Sequence, residues 1–102
     1  GVTSARRSQL MPTIPTLAEG GMSAFDRTGW YGLIAPVATP REVIARLNAE
    51  INDMLARTEV KETLTRQGLE PQGGTPEQFG ILIRRELQQN MQLARTVKLS
   101  AN

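Results

Sequence analysis

The stretch that most constrains this chain is Thr28 to Pro36, Thr-Gly-Trp-Tyr-Gly-Leu-Ile-Ala-Pro. It is short, aromatic and aliphatic, and bounded by turn residues, which is the pattern of a β-strand. Its near-continuous apolar character suits a strand covered on both faces. Such a strand stands only within a sheet, because its backbone donors and acceptors need partners. Almost nothing else in the chain can pair with it. Leu69 to Gly74 reads as a short strand or a loop, and the remainder reads as helix or turn. Gly1-Val2-Thr3-Ser4 resembles the tail of a strand already under way, on a chain that opens with Gly rather than Met and shows no signal peptide. The expectation is a piece of something longer, with an engineered leading residue at Gly1 as the other explanation.

Helices are easier to place. Thr39-Pro40-Arg41-Glu42 has an N-cap residue, a proline where its missing donor costs nothing, and a glutamate to complete a capping box. Val43, Ile44, Leu47, Ile51, Met54 and Leu55 follow at helical spacing as one apolar stripe. A break near Thr58 precedes a shorter helix with Val60 and Leu64 inward, ended by Gly68 as a left-handed residue. Thr75-Pro76-Glu77-Gln78 repeats the capping chemistry and opens a long helix striped by Phe79, Leu82, Ile83, Leu87, Met91 and Ala94. The two Thr-Pro starts suggest a helical repeat, but the segments between them differ in length and pattern. Upstream, Met11-Pro12-Thr13-Ile14-Pro15 is an extended connector. Thr16-Leu17-Ala18-Glu19, closed by Gly20-Gly21, predicts a helix of one or two turns. Apolar Leu10, Met11, Ile14 and Leu17 place this connector against a surface.

Composition excludes much chemistry. The 102 residues contain no cysteine and no histidine, so thiol and imidazole nucleophiles, bases and metal ligands are all absent. Cysteine usage says nothing here about compartment. Twelve basic against ten acidic residues leave a net charge of +2. The pI of 9.7 reflects missing histidine and abundant arginine rather than a basic surface. Cations alternate with acids at helical spacing, as in Glu42 with Arg46, Asp53 with Arg57 and Glu62 with Arg66. That pattern predicts solvated, salt-bridged helix faces rather than a clustered phosphate-binding surface. Arg6-Arg7 and Arg84-Arg85 are too short to be nucleic-acid patches, and no apolar run is long enough to span a bilayer.

No catalytic constellation emerges. Glu59 with Glu62, and Glu50 with Asp53, lie on polar helix faces beside Arg or Lys, where solvated surface is the better reading than acid–base work. Gln72-Gly73-Gly74-Thr75 could offer amides to an anion, but it lacks both the dinucleotide and the phosphate-loop patterns, so loop plus N-cap is the better reading. Trp30-Tyr31 could stack on a ligand; by residue type alone, a lone Trp in an apolar strand belongs in a core.

The order of these signatures resembles the C-terminal third of the tripartite tricarboxylate transporter substrate-binding receptors, the Bug-type periplasmic solute receptors. The matching pieces run from Val2-Thr3-Ser4 and Arg7-Ser8 through Ile14-Pro15-Thr16-Leu17-Ala18-Glu19-Gly20-Gly21 to Trp30-Tyr31-Gly32-Leu33-Ile34-Ala35-Pro36. Thr39-Pro40, Arg46-Leu47-Asn48, Gly68, Pro71, Gly74-Thr75-Pro76 and Phe79 complete them. Each is weak alone; in order, over nearly the whole chain, they are specific.

The resemblance implies a receptor about three times this length. It implies an α/β fold of the periplasmic-binding-protein-like, two-lobed kind, of which this chain is the helix-rich C-terminal part, with three main helices and one or two strands. Residues 1–27 would be a connector and short helix from the second lobe, and residues 28–102 a crossover strand plus C-terminal helices of the first lobe. The implied function is capture of a small organic acid, carboxylic or amino, for delivery to an inner-membrane permease from the periplasm, with no enzymatic step, cofactor, metal or nucleic acid. Thr28 and Trp30 are the cleft-wall positions it implies, in a family that holds carboxylates through backbone amides. Most of the family's ligand-contacting loops lie outside this chain. The alternative is an autonomous helical interaction domain, a homodimer in isolation, motivated by the apolar surface that a lone strand and short core would leave exposed.

Overall fold

A computed structural model describes residues 1–97 of the chain; residues 98–102, the end of the expected 28–102 portion, lie outside the described residues. Among the described residues three helices form: α1 at Arg41–Ala56, α2 at Thr58–Arg66 and α3 at Pro76–Thr96. The chain divides into two compact units. One comprises Gly1–Thr39 with Arg57–Pro71, and the other Pro40–Ala56 with the residues from Gln72 onward. Thus α2 belongs with the N-terminal segment, and α1 with α3.

The helix boundaries follow their end chemistry. α1 begins one residue later than the sequence suggests, because the Pro40 carbonyl already receives the first helical bonds, from Val43 and Ile44 at 3.0 and 3.2 Å. The break between α1 and α2 falls at Arg57, whose backbone is extended (φ −70°, ψ 134°). α2 ends in a complete Schellman closure. Gly68 adopts φ +77°, its N–H donates to the Thr65 carbonyl at 2.9 Å, and the Leu69 N–H donates to Leu64 at 2.9 Å. α3 opens on the expected capping box: the Gln78 N–H donates to Thr75 Oγ1 at 3.1 Å, and the Thr75 N–H to Gln78 Oε1 at 2.9 Å.

The first unit is organised by backbone pairing at its start. Val2 and Thr16 form a parallel bridge, in which the Val2 N–H donates to Pro15 and the Leu17 N–H to Val2, each at 2.9 Å. The expected helix after Pro15 is a single turn with both ends capped. The Glu19 N–H reaches Thr16 Oγ1 at 3.1 Å, and the Met22 N–H returns to the Leu17 carbonyl at 3.0 Å around Gly21, at φ +105°. Thr16 lies at the centre of this knot and is 3% exposed. The connector before Pro15 is turned rather than extended, the Met11 N–H donating to Ser8 at 3.3 Å and the Ile14 N–H to Met11 at 3.1 Å; Leu10, Ile14 and Leu17 are half-buried, while Met11 is exposed.

Several expectations need correction. No β-strand forms among the described residues, where one or two were expected; the Val2–Thr16 bridge is isolated. Residues 28–36 join no ladder, and Leu69 to Gly74 is loop. The physical reason is the one that makes the stretch so constraining: a strand needs a neighbour to take its backbone bonds, and none of the described residues offers one. Trp30 is also not in a core. It is 42% exposed, and no apolar side chain among the described residues is fully buried. The helix stripes are only partly covered: Ile44, Ile51 and Leu55 on α1, and Phe79, Leu82, Ile83 and Ala94 on α3, are half-buried, whereas Val43, Leu47, Met54, Leu87 and Met91 are exposed. The expected i,i+4 partners Glu42–Arg46, Asp53–Arg57 and Glu62–Arg66 are solvated, and none closes to salt-bridge distance. Exposed pairs of long side chains gain little by closing. No described helix is long and apolar enough to cross a membrane.

Candidate functional site

The candidate site is the extended segment that leaves the N-terminal knot at Asp26. Two contacts fix its root. The Arg27 N–H donates to the Thr3 carbonyl at 2.7 Å, and Asp26 Oδ1 accepts the Ala5 N–H at 3.1 Å. Immediately beyond this anchor come Thr28 and Trp30, both exposed. The apolar residues that follow are exposed as well, Tyr31 at 90% and Ile34 at 86%. Between Thr28 and Pro40 the only ionisable side chain is the Tyr31 phenol. The segment can therefore offer a hydroxyl, an indole and backbone amides, but no fixed charge.

The knot it leaves is held by a charged clasp. Arg7 grips the Glu19 carboxylate in a forked arrangement, Nη2 to Oε1 at 2.7 Å and Nε to Oε2 at 2.9 Å. A further Arg7 nitrogen, Nη1, donates to the Pro12 carbonyl at 3.2 Å. Glu19 Oε2 also accepts the Thr16 N–H at 2.8 Å. The Arg7 hydrogen bonds, reinforced by the Thr16 amide, hold the Glu19 carboxyl at a pKa of about 2, well below its ordinary 4.5. The same contacts raise the Arg7 pKa. A second tie comes from Glu70, just beyond α2. Its Oε1 accepts both the Ser8 hydroxyl and the Gln9 N–H, the latter at 3.1 Å.

In the other unit, the glycine loop before α3 is occupied by the protein itself. Asn52 on α1 accepts the Gly74 N–H at 3.0 Å through Oδ1 and donates Nδ2 to the Gly74 carbonyl at 2.8 Å. The Thr75 and Gln78 amides are likewise taken within the chain, by the capping box. The loop-plus-cap reading of Gln72 to Thr75 therefore holds. The helix carboxylates Glu50, Asp53, Glu59 and Glu62 are all solvent-exposed.

Sequence reasoning placed Thr28 and Trp30 on a strand covered on both faces, with Trp30 in a core by residue type and both on a cleft wall by resemblance; the structure instead puts both in one exposed segment outside any ladder. It missed Arg7–Glu19, Ser8–Glu70 and Asn52–Gly74 as pairs. Arg7 and Glu19 were each visible within a local motif, but their separation of 12 residues matches no helix or strand period that could announce the contact.

Similarity to known proteins runs along the whole chain. The family model for the tripartite tricarboxylate transporter family receptor matches residues 1–99. A protein of Pseudomonas sp. strain P51, described as the UPF0065 protein in the tcbD-tcbE intergenic region, is 41% identical over 100% of this chain and 31% of its own length. The UPF0065 protein in the clcB-clcD intergenic region of Pseudomonas knackmussii is 33% identical over 100% of this chain and 61% of its own. Protein BugT of Bordetella pertussis is 36% identical over 85% of this chain and 27% of its own length. The chain thus spans between about a quarter and three-fifths of these relatives. No solved structure matches it. The ordered motifs, the capped turn at Thr16 and the match from residue 1 to residue 99 agree: the chain belongs to the tripartite tricarboxylate transporter receptor family.

Proposed function

We propose that the chain is the C-terminal part of an extracytoplasmic solute-binding receptor that captures a small carboxylic or amino acid in the periplasm and passes it to a membrane permease. The observation that carries this reading is the unbroken family match over residues 1–99. On this reading residues 1–27 belong to the second lobe of a two-lobed receptor, and the segment from Thr28 returns to the first lobe, where the C-terminal helices cap it. Thr28 and Trp30 line the cleft wall. The lack of fixed charge between Thr28 and Pro40 is compatible with an anion held by backbone amides, whose N–H dipoles bind carboxylates without a charged side chain. The exposed apolar run from Trp30 to Val37 supports a segment that packs against further polypeptide. The proposed role is binding and delivery, with no bond made or broken.

Calorimetric titration of the full-length receptor against a panel of carboxylic and amino acids tests this. Tight binding of one panel member, weakened by Trp30→Ala and by Thr28→Ala, is the expected result. A correctly folded full-length receptor that binds no member of the panel overturns the reading. Binding unaffected by either substitution removes Thr28 and Trp30 from the cleft while leaving the receptor role standing.

A further inference from the structure

We draw no further inference here: the strongest candidate, the exposed apolar segment from Tyr31 to Val37 beyond the N-terminal knot, is an apolar face, and nothing in the structure shows what covers it beyond the receptor fold already proposed.

Discussion

Arg7 and Glu19 form a two-pronged ion pair, with Nη2–Oε1 at 2.7 Å and Nε–Oε2 at 2.9 Å, that fastens the N-terminal segment to the capped turn at Thr16. The same carboxylate takes the Thr16 amide. One side chain therefore serves as both helix cap and clasp, and its titration reports on the integrity of the whole knot.

Glu19 should titrate near pH 2 rather than near 4.5. A carboxylate whose folded pKa is depressed stabilises the folded form fully above its ordinary pKa, and that contribution is lost as pH falls toward the depressed value. The knot should therefore loosen between about pH 4.5 and pH 2. A carbon-detected NMR titration of the Glu19 carboxyl checks this; a midpoint in the ordinary glutamate range would show that the clasp is not formed in solution. Glu19→Gln should remove this part of the acid response.

Thr75→Ala removes the oxygen that accepts the Gln78 N–H. Loss of such a cap costs about 1 kcal/mol, so protection of the first-turn amides of α3 should fall about fivefold. Thr75→Ser keeps the acceptor and should retain most of the protection. Amide hydrogen exchange reads both, and equal effects of the two substitutions would count against the cap.

Gly73 and Asn52 should be energetically coupled. A Cβ on Gly73 would stand 2.6 Å from Asn52 Oδ1, which must then swing away and release Gly74. Gly73→Ala and Asn52→Ala should each cost about 1 kcal/mol, since each loses the same hydrogen bonds. The double variant should cost little more than either alone, the signature of a shared interaction in a double-mutant cycle. Strictly additive losses in exchange protection at Gly74 would contradict the clamp.

Gly68→Ala tests backbone geometry with little packing contribution, because open space surrounds the position and its φ is +77°. A side chain there costs about 1 to 2 kcal/mol. Protection of Gly68 and Leu69, whose amides close α2, should fall accordingly, while the opening of α3 should be unaffected.

The 102-residue chain in isolation should melt broadly. Cooperative unfolding with the usual heat-capacity increment of about 12–15 cal/mol/K per residue depends on exposing a buried apolar core. No apolar side chain among the described residues is fully buried. Differential scanning calorimetry should show a small, shallow transition; a sharp transition with the full increment would mean that the chain completes a core by itself.

The local punctuation of this protein was legible in its residues. The capped turn from Thr16 to Gly21, the break near Thr58, the closure at Gly68 and the capping box at Thr75 all depend on hydrogen bonds between residues two to five apart. Residue type and spacing suffice for such contacts. The pairs that organise each unit were not legible. Ser8 meets Glu70 across 62 residues and Asn52 meets Gly74 across 22, separations for which no helical or strand period exists.

The Trp30 segment marks the boundary between these two kinds of information. Its sequence alone determined that it is apolar and strand-like, because β-propensity reflects what a side chain could pack against. Whether it becomes a strand is decided by tertiary structure, since only an adjacent strand can take up its backbone N–H and C=O groups. Within these residues none does, and the segment stays extended and exposed. The helices needed no such neighbour, because their backbone bonds close within the helix itself.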